Sequence, residues 1–231
     1  MKKILFSLIA LACSMSMNAQ VMKVMKGNVV VATYTADQAD NVVFEEAQVP
    51  TTGTAKRTDD IDVNWVQLWK NGPKFAEYNV GAANNKAEDY GGYYAWGGSQ
   101  DKVGDHNTGS EVLSGDNDTA TKLWGSAWRM PTQAELQALL DNCDVEWTAV
   151  NGVNGRKFTG KGNYASNSVF LPAAGFYNAR VNYEDRDGLY FSSSPNGSDR
   201  AYYLDFSSDG QNVTDIARVY GFSVRAVLAE D

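Results

Sequence analysis

Beyond the N-terminus, one segment, residues 132–142, repeats apolar side chains at helical spacing; other apolar runs break within a few residues at Gly, Asn, Asp or Pro. Pro131 precedes that segment, Thr132 and Glu135 have capping-box spacing, and Leu136, Leu139 and Leu140 share one face. The rest reads as short strands: residues 63–69, then 75–80 after the Asn71-Gly72-Pro73 turn, and 147–150, 157–159, 169–171, 189–191, 202–206 and 223–228. Asn151-Gly152-Val153-Asn154-Gly155 marks a turn, and residues 98–118 read as a long polar loop. One helix among many short strands predicts an α+β fold. All six tryptophans lie between Trp65 and Trp147, which predicts large side chains holding irregular loops together.

The N-terminus, Met1-Lys2-Lys3 followed by an apolar run from Ile4 to Cys13, reads as a secretory signal cut between Ala19 and Gln20. That run is about half of what a transmembrane helix needs. Ala10-Leu11-Ala12-Cys13 also loosely resembles a lipoprotein box, which would put a lipid on Cys13 as the membrane link. Residues 20–46 predict a small β-hairpin unit, with strands at 21–25 and 29–34 around Lys26-Gly27-Asn28 and a further apolar run at 42–44. Residues 47–62, nearly free of large apolar side chains, read as a linker, and the main domain is expected over 63–231.

The net charge of −8 falls to −10 once Lys2 and Lys3 are removed, and no basic stretch compensates, so nucleic acid is excluded as an expected partner. His106 is the only histidine, and Cys13 and Cys143 the only cysteines, so nucleophile–base pairs and Cys/His metal sites have almost no residues to use. His106 is expected in a solvated loop. Cys143 is expected as a buried small hydrophobe at the helix end.

Several segments resemble one family: Gly91-Gly92-Tyr93-Tyr94-Ala95-Trp96-Gly97, Trp124-Gly125-Ser126-Ala127-Trp128-Arg129-Met130-Pro131-Thr132, Asn151 to Gly155, Phe170-Leu171-Pro172-Ala173-Ala174-Gly175 and Gly221-Phe222-Ser223-Val224-Arg225. Together, over residues 63–228, they are similar to the Fibrobacter succinogenes major paralogous domain of exported Bacteroidota proteins. The resemblance implies a C-type-lectin-like domain of the formylglycine-generating-enzyme branch. Enzymes of that branch hold copper through cysteines; with Cys143 alone in the mature chain, this chemistry has no ligand set and no enzyme is expected.

The 44 residues from Tyr177 to Tyr220 include 29 that are Asn, Tyr, Ser, Asp, Gly or Arg, and no lysine follows Lys161. Tyr and Arg offer large contact area at low entropic cost and Ser, Asn and Gly adaptable hydrogen bonds, a composition used by recognition surfaces. Solvated polar turns would also collect these residues. The binding reading places Asn178, Arg180, Asn182, Tyr183, Asp185, Arg186, Asp199, Arg200, Tyr203, Asp209, Asn212, Asp215 and Arg218 on a ligand surface. Some domains of the resembling family are diversified by retroelements that mutate adenines, and Asn codons so altered yield this mixture, Ile216 included.

No cofactor is expected. Calcium has weak candidates in Asp116-Asn117-Asp118 and Glu184 to Gly188, but the spacing is incomplete and Asp118 reads better as a cap near Trp124. Carboxylates among Asp185, Asp187, Asp199 and Asp205 could pair for glycoside hydrolysis, the least favoured class. The expectation is an exported, surface or secreted adhesion protein with a protein or glycan ligand; the alternative is a structural or fimbrial assembly subunit, and a periplasmic location also fits.

Overall fold

The computed structural model describes residues 21–26, 29–35, 50–102 and 105–229. The predicted signal, Cys13 and the 42–44 run lie outside the described residues. The chain divides into two compact units, Met1–Gln48 and Val49–Asp231. In the first, β1 (Val21–Lys26) pairs antiparallel with β2 (Val29–Thr35), Lys26 opposite Val29, with a register shift between Val24 and Met25. This is the hairpin predicted from the two apolar runs around Lys26-Gly27-Asn28.

The second unit starts earlier than predicted. Residues 52–56, inside the expected linker, form β3 (Thr52–Lys56), which pairs along its whole length with β4 (Asp62–Gln67). The absence of large apolar side chains hid it, because the strand is held by a backbone ladder and by fit. A Cβ on Gly53 would stand 2.6 Å from the Trp65 ring, so glycine lets the indole lie across the strand. β4 pairs β5 (Lys74–Ala76), and β15 (Val227–Leu228) joins β5 to β6 (Trp128–Arg129), giving the order β3-β4-β5-β15-β6. Residues 78–80, predicted as strand, are instead a buried loop; Val80 N–H bonds Val224 O at 2.9 Å without joining a named strand.

α1 (Thr119–Trp124) begins at Asp118, whose carboxylate accepts from Thr121 N at 3.0 Å and Met130 N at 2.8 Å. Burial pushes this carboxyl up while those amides pull it back. α2 (Gln133–Asn142) carries the predicted capping box, and Glu135 also takes both guanidinium nitrogens of Arg129, at 2.8 and 2.6 Å. These bonds hold the Glu135 carboxyl below its ordinary value although burial opposes them. Leu136 and Leu139 are buried, whereas Leu140 is half-buried.

A second sheet comprises β7 (Asp144–Val150), β8 (Val153–Thr159) and β9 (Ser168–Pro172), the first two joined at Asn151 and Gly152, both with positive φ. A third comprises β12 (Gly188–Asn196), β13 (Arg200–Phe206) and β14 (Gln211–Ala217). With two α-helices among the described residues, the sheet-rich composition agrees with α+β.

Two apolar clusters sit between these layers. One joins Trp96, Trp124 and Trp128 to Phe191, Tyr203 and Phe222; the other joins Leu136 and Leu139 to Phe158, Leu171, Leu204 and Phe206. The tryptophans pack and bridge: Trp124 meets Trp128 edge-on at 5.5 Å, and Trp96 Nε1 donates to Ser192 O at 2.8 Å. Cys143 closes the second cluster, and burial pushes its thiol up to about 12. A thiol reagent at pH 8 should therefore leave Cys143 unlabelled in native protein and modify it only after denaturation. Labelling at the denatured rate would refute the burial.

Candidate functional site

Phe222 lies where the third sheet meets the loops above it. Phe191 stacks on it at 4.5 Å and Tyr203 meets it edge-on at 4.9 Å. On the outer side stand Phe176 at 6.0 Å and Tyr220 at 6.4 Å. Phe176 begins β10 (Phe176–Asn178), which pairs with β11 (Arg180–Asn182), Asn178 opposite Arg180. Only Ala179 turns this hairpin, with φ of 59°. Its base is fixed by the Tyr177 and Gly221 backbones, which exchange hydrogen bonds of 2.8 and 2.9 Å, and by Gly175, where a Cβ would stand 2.1 Å from Asn182 O.

Beyond the hairpin, Tyr183 is 50% exposed and stacks on Phe176 at 5.9 Å, while the Arg186 guanidinium lies 5.3 Å from the Tyr183 ring centroid. Tyr183 and Asp185 both hold positive φ, at 58° and 63°. Such backbone positions persist where surrounding contacts fix them. Asp185 supplies those contacts: its carboxylate accepts from Asn154 N at 2.8 Å and Asn154 Nδ2 at 3.1 Å, and its own N–H bonds Ala173 O at 2.7 Å. Val219, 60% exposed, and Tyr220 belong to the segment entering this cluster.

The predicted surface therefore divides into separate places. Asn178, Arg180, Asn182, Tyr183 and Arg186 come together on the hairpin and the loop after it, with Asp185 turned inward as their anchor. Arg200 pairs with Asp215 across β13 and β14, and Asp199 precedes β13. Asp209 and Asn212 lie around the β13–β14 turn, where they line a cavity of about 400 Å³ with Asp187 and Asp205. Burial, then the Asp187 charge, pushes the Asp205 carboxyl up; burial also raises Asp187, with Arg186 opposing and Asp209 adding to the rise. Of the four carboxylates weighed for hydrolysis, these two face each other electrostatically.

Two residues of the predicted surface are buried. Tyr203 is 7% exposed because its ring is spent against Phe222. Arg218 is fully buried, 4.0 Å above the Trp96 ring, and donates to Arg200 O, Asn107 O, Gly109 O and Gly197 O at 2.8 to 3.0 Å. Conversely, Phe176 and Tyr220 pack into this cluster unpredicted, and exposed Val219 directly precedes Tyr220. Their only sequence signal was position at the borders of the Tyr- and Arg-rich window; the Tyr177–Gly221 backbone pairing brings those borders together.

Asp118 of the first calcium candidate is occupied by two backbone amides, and Asp185 of the second by Asn154. Among the described residues, no group of three or more His, Cys, Asp or Glu is arranged to hold a metal ion. No protein-family model matches the chain, and neither a curated protein nor a solved structure matches it.

Proposed function

We propose that the chain is an exported cell-surface or secreted binding protein, a C-type-lectin-like domain that recognises a protein or glycan and performs no chemistry on it. The observation that carries this reading is the Phe176–Tyr183–Arg186 stack, with half-exposed Tyr183 held on left-handed backbone and Tyr220 packed edge-on against the same Phe176 ring. An aromatic ring already fixed in place loses little entropy on binding, and Arg adds directed hydrogen bonds. Arg180, Asn178 and Asn182 would adjust around that anchor from the adjacent hairpin, and a retroelement origin for the segment accounts for its residue mixture.

The test is a binding screen of the full exported chain on a glycan array and a panel of extracellular proteins, with calcium and with chelator. For a ligand so found, Tyr183→Ser with Arg180→Ser should weaken affinity about 100-fold while leaving the melting temperature within a few degrees, two anchors of roughly 1–2 kcal/mol each. Unchanged affinity in the folded double variant would move the site elsewhere.

An assembly subunit is the second reading. It rests on β1 and β2, a two-stranded sheet in which Val29 and Val30 are 64% and 44% exposed. Such strands suit addition of a further strand from a neighbour.

A further inference from the structure

Away from the C-terminal window, the structure contains a groove of about 630 Å³ between the β3–β4 face and the β8–β9 face. None of its lining residues comes from 177–220. Strand alternation builds one wall: Thr52 lies opposite Val66 and Thr54 opposite Asn64, so these four side chains share a face. Asn64 Nδ2 donates to Glu77 Oε2 at 2.8 Å, fixing an amide and a carboxylate side by side at the exposed rim. Val66, backed by the cluster that contains Val169, forms an apolar floor together with nearly buried Phe170. From the opposite side come the hydroxyls of Ser166 and Ser168, both exposed.

The chemistry of this lining is specific. Its polar groups are mainly hydroxyls and amides, and its two charges, Glu77 and Lys157, cancel. A phosphate, a metal ion or a strongly charged peptide would find no excess of opposite charge here. A neutral molecule rich in hydroxyls, with one apolar face, meets both donors and acceptors at the rim and hydrocarbon at the floor. Trp65, between Asn64 and Val66 on β4, points to the opposite face of the strand, where Gly53 lies against its ring and the Lys74 ammonium stands 4.6 Å from its centroid, so it gives the groove no stacking platform. We propose that this groove binds a neutral carbohydrate chain, at a site separate from the Tyr183 surface and not dependent on that reading.

The experiment titrates the full exported chain with neutral hexasaccharides of glucose, xylose and mannose, and with a hexamer of a uronic acid. Methyl NMR locates the binding. At least one neutral hexamer should perturb the Val66 and Val169 methyls, and the uronic acid chain should bind at least tenfold more weakly. Asn64→Ala should weaken the neutral chain about tenfold, and Ser168→Trp, which fills the groove from an exposed position, should abolish its binding with folding verified by melting. The proposal is overturned if no neutral hexamer binds, if the perturbed methyls lie only near residues 176–186, if the uronic acid chain binds as tightly, or if Ser168→Trp binds like the parent.

Discussion

Replacing Arg225 by leucine should lower unfolding stability by about 3–5 kcal/mol, the range for stripping a partner from a buried charged network. Arg225 is 1% exposed, and its guanidinium is held by amide oxygens: Nε donates to Asn79 Oδ1 at 2.9 Å, Nη1 to Ala76 O and Glu77 O at 3.0 and 2.7 Å, and Nη2 to Phe170 O at 3.0 Å. Burial lowers its pKa to about 10, still charged at neutral pH. Asn79 in turn donates to Tyr90 O at 2.9 Å and to the Tyr190 hydroxyl at 3.0 Å, and that hydroxyl donates to Pro172 O at 2.7 Å. One side chain thereby fastens the loop after β5 to β9 and, through Asn79, to β12. Leucine would fill much of the volume yet leave those interior oxygens without donors, each costing about 1–3 kcal/mol if unrelieved. The urea midpoint should fall by roughly 2 M for a slope near 2 kcal/mol/M. A midpoint within a few tenths molar of the parent would show that water or rearrangement replaces the network.

Arg218→Ala should behave as a stability variant and not as a binding variant. Its four carbonyl bonds tie Asn107 and Gly109, in the long loop before α1, to Gly197 and Arg200 at the β12–β13 turn, with Trp96 beneath the guanidinium. Truncation should cost about 2–4 kcal/mol, because several charge-assisted bonds to buried carbonyls vanish together. Lysine should recover little, since one ammonium cannot reach acceptors spread around a planar fork. Amide hydrogen exchange should accelerate first at residues 105–109, where the loop is released. A variant that melts like the parent but loses ligand would return Arg218 to the recognition surface.

These two arginines and the exposed pair Arg180 and Arg186 show where sequence reading stops. All four lie in one lysine-free region, and nothing in their immediate neighbours separates the buried from the exposed. The separation is made by partners 146 residues away for Arg225 and 111 for Arg218. Residues 52–56 illustrate the same limit for the fold: a strand of Thr, Gly, Ala and Lys carries no alternation of large apolar groups and exists because β4 offers it a ladder.

What the sequence by itself determined are the features whose causes lie within a few residues: the capping box and apolar face of α2, Asp118 as a cap, the β1–β2 hairpin, the Asn151-Gly152 turn and the α+β class. Which residues of the candidate surface are exposed was decided by tertiary structure. Composition selected the segment 177–220, but the pairing of Tyr177 with Gly221, the stacking of Tyr183 on Phe176 and the burial of Tyr203 and Arg218 chose among its members. Local patterns record backbone propensity and the period of burial, whereas exposure at a single position depends on which distant segment packs against it.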